Sequence, residues 1–322
     1  MTDTLATAPI TNAYWPASPH QTSLGLMVTL VEDFAYPGTP HFDDMVEIAL
    51  AAKDAGFEAL WFADHFTYAA VDGSNPDDLK GCWEVWTLMA GIAARVPDLQ
   101  IGPLVACTAY RNPGVIAKMA EMIDDISGGR FILGLGAGWN AREYREFGYE
   151  FEPRVSKFEE ALQIIHALLR TGESTFAGTH YTTDGGLNRP RGPRPSGPPI
   201  LIGSTGPRML RNLAQYGDAW NSWFHGSFDG MEELVAKVDA ACVEVGRDPA
   251  EIVKTAAVSI AREGYTHTRP KVFAGSDEEI VGVFETLRGA GFRHVIVGPD
   301  PCTPEAVAGF APVIDAFHAG EA

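Results

Sequence analysis

Asp64 and His65 follow directly on the apolar run Ala59-Leu60-Trp61-Phe62-Ala63, which places the pair at the end of a strand candidate. A histidine in that position can donate a proton to, or accept one from, a bound heterocycle near neutral pH. The bland reading is a structural histidine, and the strand-end position is what sets the catalytic reading beside it. A second stretch, Ile202-Gly203-Ser204-Thr205-Gly206-Pro207-Arg208, has small residues at the exit of a strand and a proline suited to a first helical turn. Its backbone N–H groups can converge at the positive end of the following helix. With the Ser204 and Thr205 hydroxyls and Arg208 nearby, it reads as a phosphate cradle more readily than as a plain turn. It is not a Walker A loop, since no Gly-Lys-Ser/Thr follows.

The third stretch carries glycines at Gly134, Gly136 and Gly138 after the strand-like run from Phe131 to Leu135, and then Trp139 and Asn140. Such glycines either admit a ligand close to the backbone or let strands pack where no side chain fits. Gly136-Ala137-Gly138-Trp139-Asn140-Ala141 also fits a loose dinucleotide fingerprint, with Glu159 and Glu160 about twenty residues on. Trp139, Trp220, Trp223 and Tyr110 can wall a flat aromatic ligand or serve as core and rim. His225 is a second, weaker histidine candidate. Arg189, Arg191 and Arg194 form a basic run that reads as a solvated loop. The nine histidines show no HxH or HxxxH spacing and the four cysteines no CxxC, so no metal and no disulfide framework are expected.

The elements that must position these residues alternate. Strands are expected at 23–30, 58–63, 100–106, 131–135, 199–202, 218–222, 252–260 and 294–297. Helices are expected at 43–55, 113–126, 155–169, 207–216, 230–245, 277–288 and 304–318, with a further helix-forming stretch capped by Asn140. Ala55-Gly56-Phe57 and Ala290-Gly291-Phe292 each join a helix to a charged residue and an apolar strand, the mark of a recurring unit. Eight βα units fit a closed (β/α)8 TIM barrel better than an open sheet of five or six strands. Two connections, 64–82 and 171–198, are too long for turns and read as insertions after strand 2 and before strand 5, lying over the site. Residues 1–22 read as an irregular N-terminal leader and 23–322 as a single barrel domain.

Lys and Arg number 24 against 42 Asp and Glu, a formal charge of −18. That surface repels phosphate backbones and anionic lipid headgroups, so no nucleic acid and no membrane partner is expected. The N-terminus lacks a basic segment followed by an apolar one, and no apolar stretch approaches the ~18 residues of a membrane span. A cytoplasmic protein with a small-molecule substrate is expected.

Trp61-Phe62-Ala63-Asp64-His65-Phe66, Tyr110-Arg111-Asn112-Pro113 and the run from Ser127 to Trp139 together resemble the bacterial luciferase-like flavin and deazaflavin oxidoreductases. The likeness continues through Arg154, Glu159 and Glu160, the 199–208 stretch and Tyr216-Gly217-Asp218-Ala219-Trp220-Asn221. The resemblance implies a (β/α)8 barrel binding coenzyme F420, or alternatively FMN, with its ring at the barrel mouth. Gly203, Ser204, Thr205, Gly206 and Arg208 would hold the cofactor phosphate. His65 and Asp64 would face the ring as the catalytic pair. Leu104, Val105 and Ala106 correspond to a strand-three position where several F420 members carry a non-proline cis peptide against the ring, and Gly136, Gly138 and Trp139 would lie beneath it. The F420-dependent branch is the first choice, moving hydride between the deazaflavin and an organic substrate. The alternatives are a two-component FMN monooxygenase served by a separate flavin reductase, and a non-catalytic flavin-binding protein. F420-dependent sugar-phosphate dehydrogenases carry glutamate where this chain has Trp139 and tryptophan where it has Ala69, so their substrate chemistry does not carry over. The resemblance also implies a homodimer.

Overall fold

The computed structural model describes residues 12–69, 78–269 and 271–321. Its centre is a ring of parallel strands: β1 Ser23–Met27, β2 Ala59–Phe62, β3, β4 Leu133–Gly136, β5 Ile200–Gly203, β6 Ala219–Phe224, β7 Val253–Arg262 and β8 His294–Pro299. β3 comes in two halves, Gln100–Pro103 and Ala106–Cys107. The hydrogen-bonded path of the sheet starts on the first half and ends on the second, so the ring closes through β3 itself. Ile101 also bonds across to Arg130 and Ile132 beside β4 (3.0 and 2.9 Å), which seals the lower part of that seam. Between the two halves the Leu104-Val105 peptide is cis.

Helices α1 Phe42–Ala55, α2 Val85–Arg95, α3 Pro113–Ser127, α4 Ala141–Glu146, α5 Arg154–Thr171, α6 Pro207–Tyr216, α7 Met231–Glu244, α8 Asp277–Gly289, α9 Pro304–Ala308 and α10 Ala311–Ala319 surround the ring. The repeated Ala-Gly-Phe units are explained by one device. Gly56 and Gly291 both have positive φ (96° and 89°), which ends a helix at low steric cost. Phe57 and Phe292 then turn back, bonding to Ala52 and Leu287 (3.0 and 3.1 Å), and bury their rings under the next strand. One expectation is corrected: the last helix is broken at Gly309 and Phe310 into α9 and α10. Helix α2, not delimited in the sequence, occupies Val85–Arg95.

The long segment before β5 also differs from its expectation. It forms a hairpin, Glu173–Ala177 with Thr182–Leu187, laid along the outside of α5, where Glu160 accepts from the Thr179, His180 and Tyr181 N–H groups. The chain then passes beneath the barrel. Arg191 pairs with Glu121, and Arg194 with Asp124 and the Phe131 carbonyl, so these two arginines of the basic run are tied down, whereas Arg189 is exposed as expected. That segment does not cover the mouth. The one after β2 does approach it: Thr67–Tyr68 pairs with Lys80–Gly81, and Glu32 and Trp83 join it to the loop after β1. Residues 70–77 of that insertion, and the leader before residue 12, lie outside the described residues.

Alternation along each strand divides the core. Leu24, Leu60, Leu133 and Ile202 face the helices, whereas Trp61, Leu104, Ile132, Leu201, Ala257 and Ile296 fill the barrel. Trp61 occupies room that glycines leave, since a Cβ on Gly25 would lie 2.7 Å from its indole nitrogen. The N-terminal segment closes the lower end, with Trp15 against His294 and Asn12 donating to the Asp218 and Glu251 carbonyls.

His294 sits fully inside this apolar interior. The Trp61 indole N–H can only donate, so His294 Nε2 (2.9 Å) accepts and Nδ1 carries the hydrogen toward Ser23 Oγ (2.7 Å). Burial holds the His294 pKa down to about 3. An unfolded histidine titrates near 6.5, so between those values the unfolded chain takes up a proton that the folded one refuses. Stability therefore falls as pH drops from about 6.5 toward 3, by up to about 1.4 kcal/mol per pH unit from this group. Denaturant titrations of wild type and His294→Gln at pH 7 and pH 5 check this. The variant should lose that share of the pH dependence, and an identical difference in both proteins would refute it.

Candidate active site

The C-terminal ends of β1–β8 gather most of the residues singled out in the sequence. Asp64 is buried, and its carboxylate is gripped by Arg111 through two bonds (2.7 and 3.1 Å) and by the Cys107 N–H (3.0 Å). Burial raises its pKa, opposed by the charge and hydrogen bonds of Arg111. Arg111 also donates to Glu84, the N-cap of α2 (2.7 Å). Asp64 thus ties the exit of β2 to the second half of β3, and its oxygens are engaged by protein donors.

His65 is differently placed. Its Nδ1 lies 2.8 Å from Glu143 Oε2. The Glu143 side chain is fully buried and also accepts from the Phe66 and Thr67 N–H groups (2.7 and 3.2 Å) and from the Tyr110 hydroxyl (3.4 Å). Since an ionised carboxylate is acceptor only, Nδ1 carries the hydrogen, and in the neutral imidazole Nε2 then keeps its lone pair. The imidazole meets Trp139 and Tyr68 edge-on, at centroid distances of 5.6 and 5.5 Å. Trp139 itself is 54% exposed, which leaves an aromatic face open to a ligand.

Glu143 is the functional candidate that the sequence reading missed. It lies on α4, capped by Asn140 as expected, within a string of charged residues. An aromatic cluster of Phe66, Tyr110, Tyr144, Tyr149 and Phe151 packs behind it. The Tyr144 hydroxyl donates to the Ala137 carbonyl (2.6 Å) and meets Cys107 Sγ (3.0 Å), so α4 is anchored to the ends of β3 and β4. Burial pushes the Cys107 thiol up to about 12, which keeps it protonated.

The glycine run makes room for β3. A Cβ on Gly134 would lie 2.0 Å from the Pro103 carbonyl oxygen, one on Gly136 2.7 Å from Val105, and one on Gly138 2.4 Å from the Tyr144 hydroxyl. Gly138 also has φ +77°. Val105 bulges inward over this space, and a Cβ on Gly203 would meet it at 3.1 Å. Val105, Met27 and Trp223 form the partly exposed top layer of the barrel interior, above Leu104, while Ala106 is fully buried. The dinucleotide reading does not survive: Glu160 holds the hairpin, and Glu159 holds Arg208 and Asn212.

On β5, Gly203, Ser204, Thr205 and Gly206 lead into the N-terminus of α6, with Pro207 in its first turn. The Ser204 carbonyl accepts from the Trp220 indole (2.8 Å), fixing the loop. A Cβ on Gly206 would meet nothing within 4 Å, so the cradle is open. Open space, two hydroxyls and a helix N-terminus fit a phosphate-bearing cofactor. Arg208 is turned to Glu159 and Ser156 instead of into the cradle, which removes it from the anion-binding set. Trp220 is buried against the helices and does not wall the site, whereas Trp223 does, with His225 stacked on it (5.7 Å, 15°).

Among the described residues, His20, Glu58 and His318 bring possible metal-ligand atoms within 4.8 Å of one another. They lie by the N-terminal segment and α10, away from His65. Their two imidazoles are stacked 3.4 Å apart and nearly parallel, so a single ion cannot lie in both ring planes. Among the described residues no helix is long and apolar enough to cross a membrane.

Comparison with known proteins agrees with the barrel fold. A family model described as luciferase-like monooxygenase matches residues 24–263. The chain is 35% identical over 174 residues to pyrimidine monooxygenase RutA of Allorhizobium ampelinum, covering 51% of this chain and 46% of that protein. The first curated relatives are matched over 46 to 63% of their own lengths, less than two thirds. An F420-dependent secondary alcohol dehydrogenase solved with an F420-acetone adduct has a TM-score of 0.78 at 18% identity, over 92% of this chain and 99% of that one. A riboflavin lyase solved with modified FMN and riboflavin has a TM-score of 0.77 at 17% identity, over 94% of this chain and 92% of that one.

Proposed function

Because the chain belongs to the luciferase-like monooxygenase family, we propose that it is an F420-dependent oxidoreductase that moves hydride between the deazaflavin and a small organic substrate. The observation that carries this reading is His65, held through Nδ1 by buried Glu143 with its Nε2 lone pair left for a reacting proton. Bound F420 would supply hydride transfer, the part of the chemistry that no side chain performs. Hydride removal from an alcohol carbon is balanced by loss of the hydroxyl proton, and reduction of the carbonyl needs that proton back. His65 Nε2 takes it in one direction and returns it in the other. Gly203, Ser204, Thr205 and Gly206 would receive the cofactor phosphate at the N-terminus of α6, and Val105 and Trp139 would meet its ring. Asp64 acts through position, by fixing the β2 and β3 exits to each other.

The second reading, an FMN-dependent monooxygenase, is supported by the RutA relative and by the FMN-containing riboflavin lyase. Fluorescence titration of the purified protein with F420 and with FMN, each oxidised and reduced, separates the two. Saturable F420 binding is expected. Binding of reduced FMN alone, followed by a long-lived oxygenated flavin on admitting air, would overturn the F420 assignment.

A further inference from the structure

Across the mouth from the cradle stands an arginine that the reaction above does not use. Arg269, on the segment after β7, donates from Nη1 to Ser259 Oγ (3.2 Å) and to the Gly298 carbonyl (3.4 Å), at the ends of β7 and β8. Its guanidinium lies over the Phe34 ring, 4.7 Å from the centroid. The Trp223 indole donates to the same Ser259 oxygen (3.3 Å), which joins Arg269 to the top layer of the barrel interior. Its Nε is buried without a hydrogen-bond partner. Asp300 makes no ion pair with the guanidinium, although its charge partly offsets the effect of burial there. Its Oδ2 accepts from the Thr268 N–H and hydroxyl and from the Arg269 backbone N–H, while Oδ1 is buried and unpaired.

A buried cation without a paired charge costs stability. This chain has 42 acidic residues to draw on, yet no described carboxylate forms an ion pair with Arg269. Lys271 adds a second positive charge nearby, and after burial these two cations are what lower the pKa of His225. At His225, the charges that act beside burial are thus cationic, on a strongly acidic protein. A guanidinium presents a planar fork that matches a carboxylate. Its surroundings are aromatic: Phe34, Tyr68 packed on it at 4.9 Å, Trp223 and His225. Such walls suit a flat or apolar body attached to a single acidic group.

We propose that Arg269 receives a carboxylate carried by the substrate, so that the enzyme acts on organic acids with an aromatic or apolar body. This names the substrate class for the oxidoreductase reading and rests on that reading for the reaction, but the anion site is testable without turnover. The test is tryptophan fluorescence and calorimetric titration of the full chain, alone and loaded with whichever of F420 or FMN binds. The probes are benzoate, phenyl phosphate and the neutral isostere benzamide. Benzoate should bind at least tenfold more tightly than benzamide, with the affinity lost in Arg269→Gln and partly kept in Arg269→Lys. Equal binding of benzoate and benzamide, no benzoate binding at all, or an unchanged affinity in a folded Arg269→Gln would overturn the proposal. Tighter binding of phenyl phosphate than of benzoate would overturn the choice of carboxylate. A carboxylate-selective site in a protein that binds neither cofactor would leave the anion assignment standing and remove the oxidoreductase reading.

Discussion

Replacing His65 by alanine is expected to lower kcat/KM by about 10²–10⁴-fold, the range for losing a general acid–base group, while cofactor affinity stays within about twofold. The expectation of near-normal binding follows from geometry. The hydrogen bond of His65 goes to Glu143, and it meets Trp139 and Tyr68 only edge-on, so its loss removes neither Trp139 nor the cradle on β5 and α6 that would hold the cofactor phosphate. Glu143→Gln provides the sharper control. A glutamine can turn its NH2 toward the imidazole, which would move the hydrogen from Nδ1 to Nε2 and take away the lone pair at the reacting position. Its activity should fall by at least about tenfold although the histidine is still present. A packing role for His65 predicts a different pattern, in which loss of stability and of cofactor binding accompany loss of turnover. Steady-state kinetics with added imidazole distinguishes them: partial rescue of His65→Ala is expected, and full wild-type turnover in the unsupplemented variant would remove the proton-handling role.

The largest expected effect on stability is at Arg111. Its substitution by leucine leaves Asp64 in the barrel wall with the Cys107 N–H as its remaining described donor. Breaking a buried ion pair by removing one partner costs about 3–5 kcal/mol, because the other charge is left uncompensated. The sign of its pH dependence follows. Without Arg111, burial drives the Asp64 pKa further above its unfolded value, so the folded chain holds a proton that the unfolded chain has released. The stability of Arg111→Leu should then decline as pH rises from about 4 through the raised pKa, since N binds more protons than U across that window. Denaturation of Arg111→Leu, Asp64→Asn and the double variant at pH 5 and pH 7 measures the coupling. The double variant should recover part of the loss. Strict additivity of the two single losses would show that the pair is not a unit.

The order of strands and helices was legible because each apolar run and each helix terminator is local. Gly56 and Gly291 announce their turns without help from distant residues, and the alternation of elements counts itself. What failed was whatever depends on a partner far along the chain. Arg191 and Arg194 looked solvated because their carboxylates, Glu121 and Asp124, belong to a helix about 70 positions earlier. Glu143 looked like one more surface charge on a short polar helix, and no local pattern says that α4 folds back on the exit of β2. Arg208 looked free until Glu159, 49 residues before it, came to lie beside it. The break at Gly309 and Phe310 leaves no local mark, because the flanking pattern on either side stays helical.

The glycines at 134, 136 and 138 gave the reverse lesson. Their spacing suggested a nucleotide, yet each missing Cβ answers to a neighbour in the protein: the Pro103 carbonyl, Val105 and the Tyr144 hydroxyl. One short motif can satisfy two unrelated steric demands, and the coordinates of the adjacent strand decide between them.

The Asp64–Arg111–Glu84 network has a consequence for how such a protein can change. It knots the exits of β2 and β3 to α2, and the Glu143 bonds bring α4 into the same knot, so a substitution in that half of the rim is felt at several loops at once. The opposite half, where Arg269 reaches over β7 and β8, is held by bonds among β7, β8 and the segment after β7, through Ser259, Gly298 and Asp300. Variation among descendants, or a laboratory library, can accumulate on the second half without disturbing the first. Under the proposed function, the barrel mouth would be divided into a bank that keeps the reaction and a bank on which new diets can be tried.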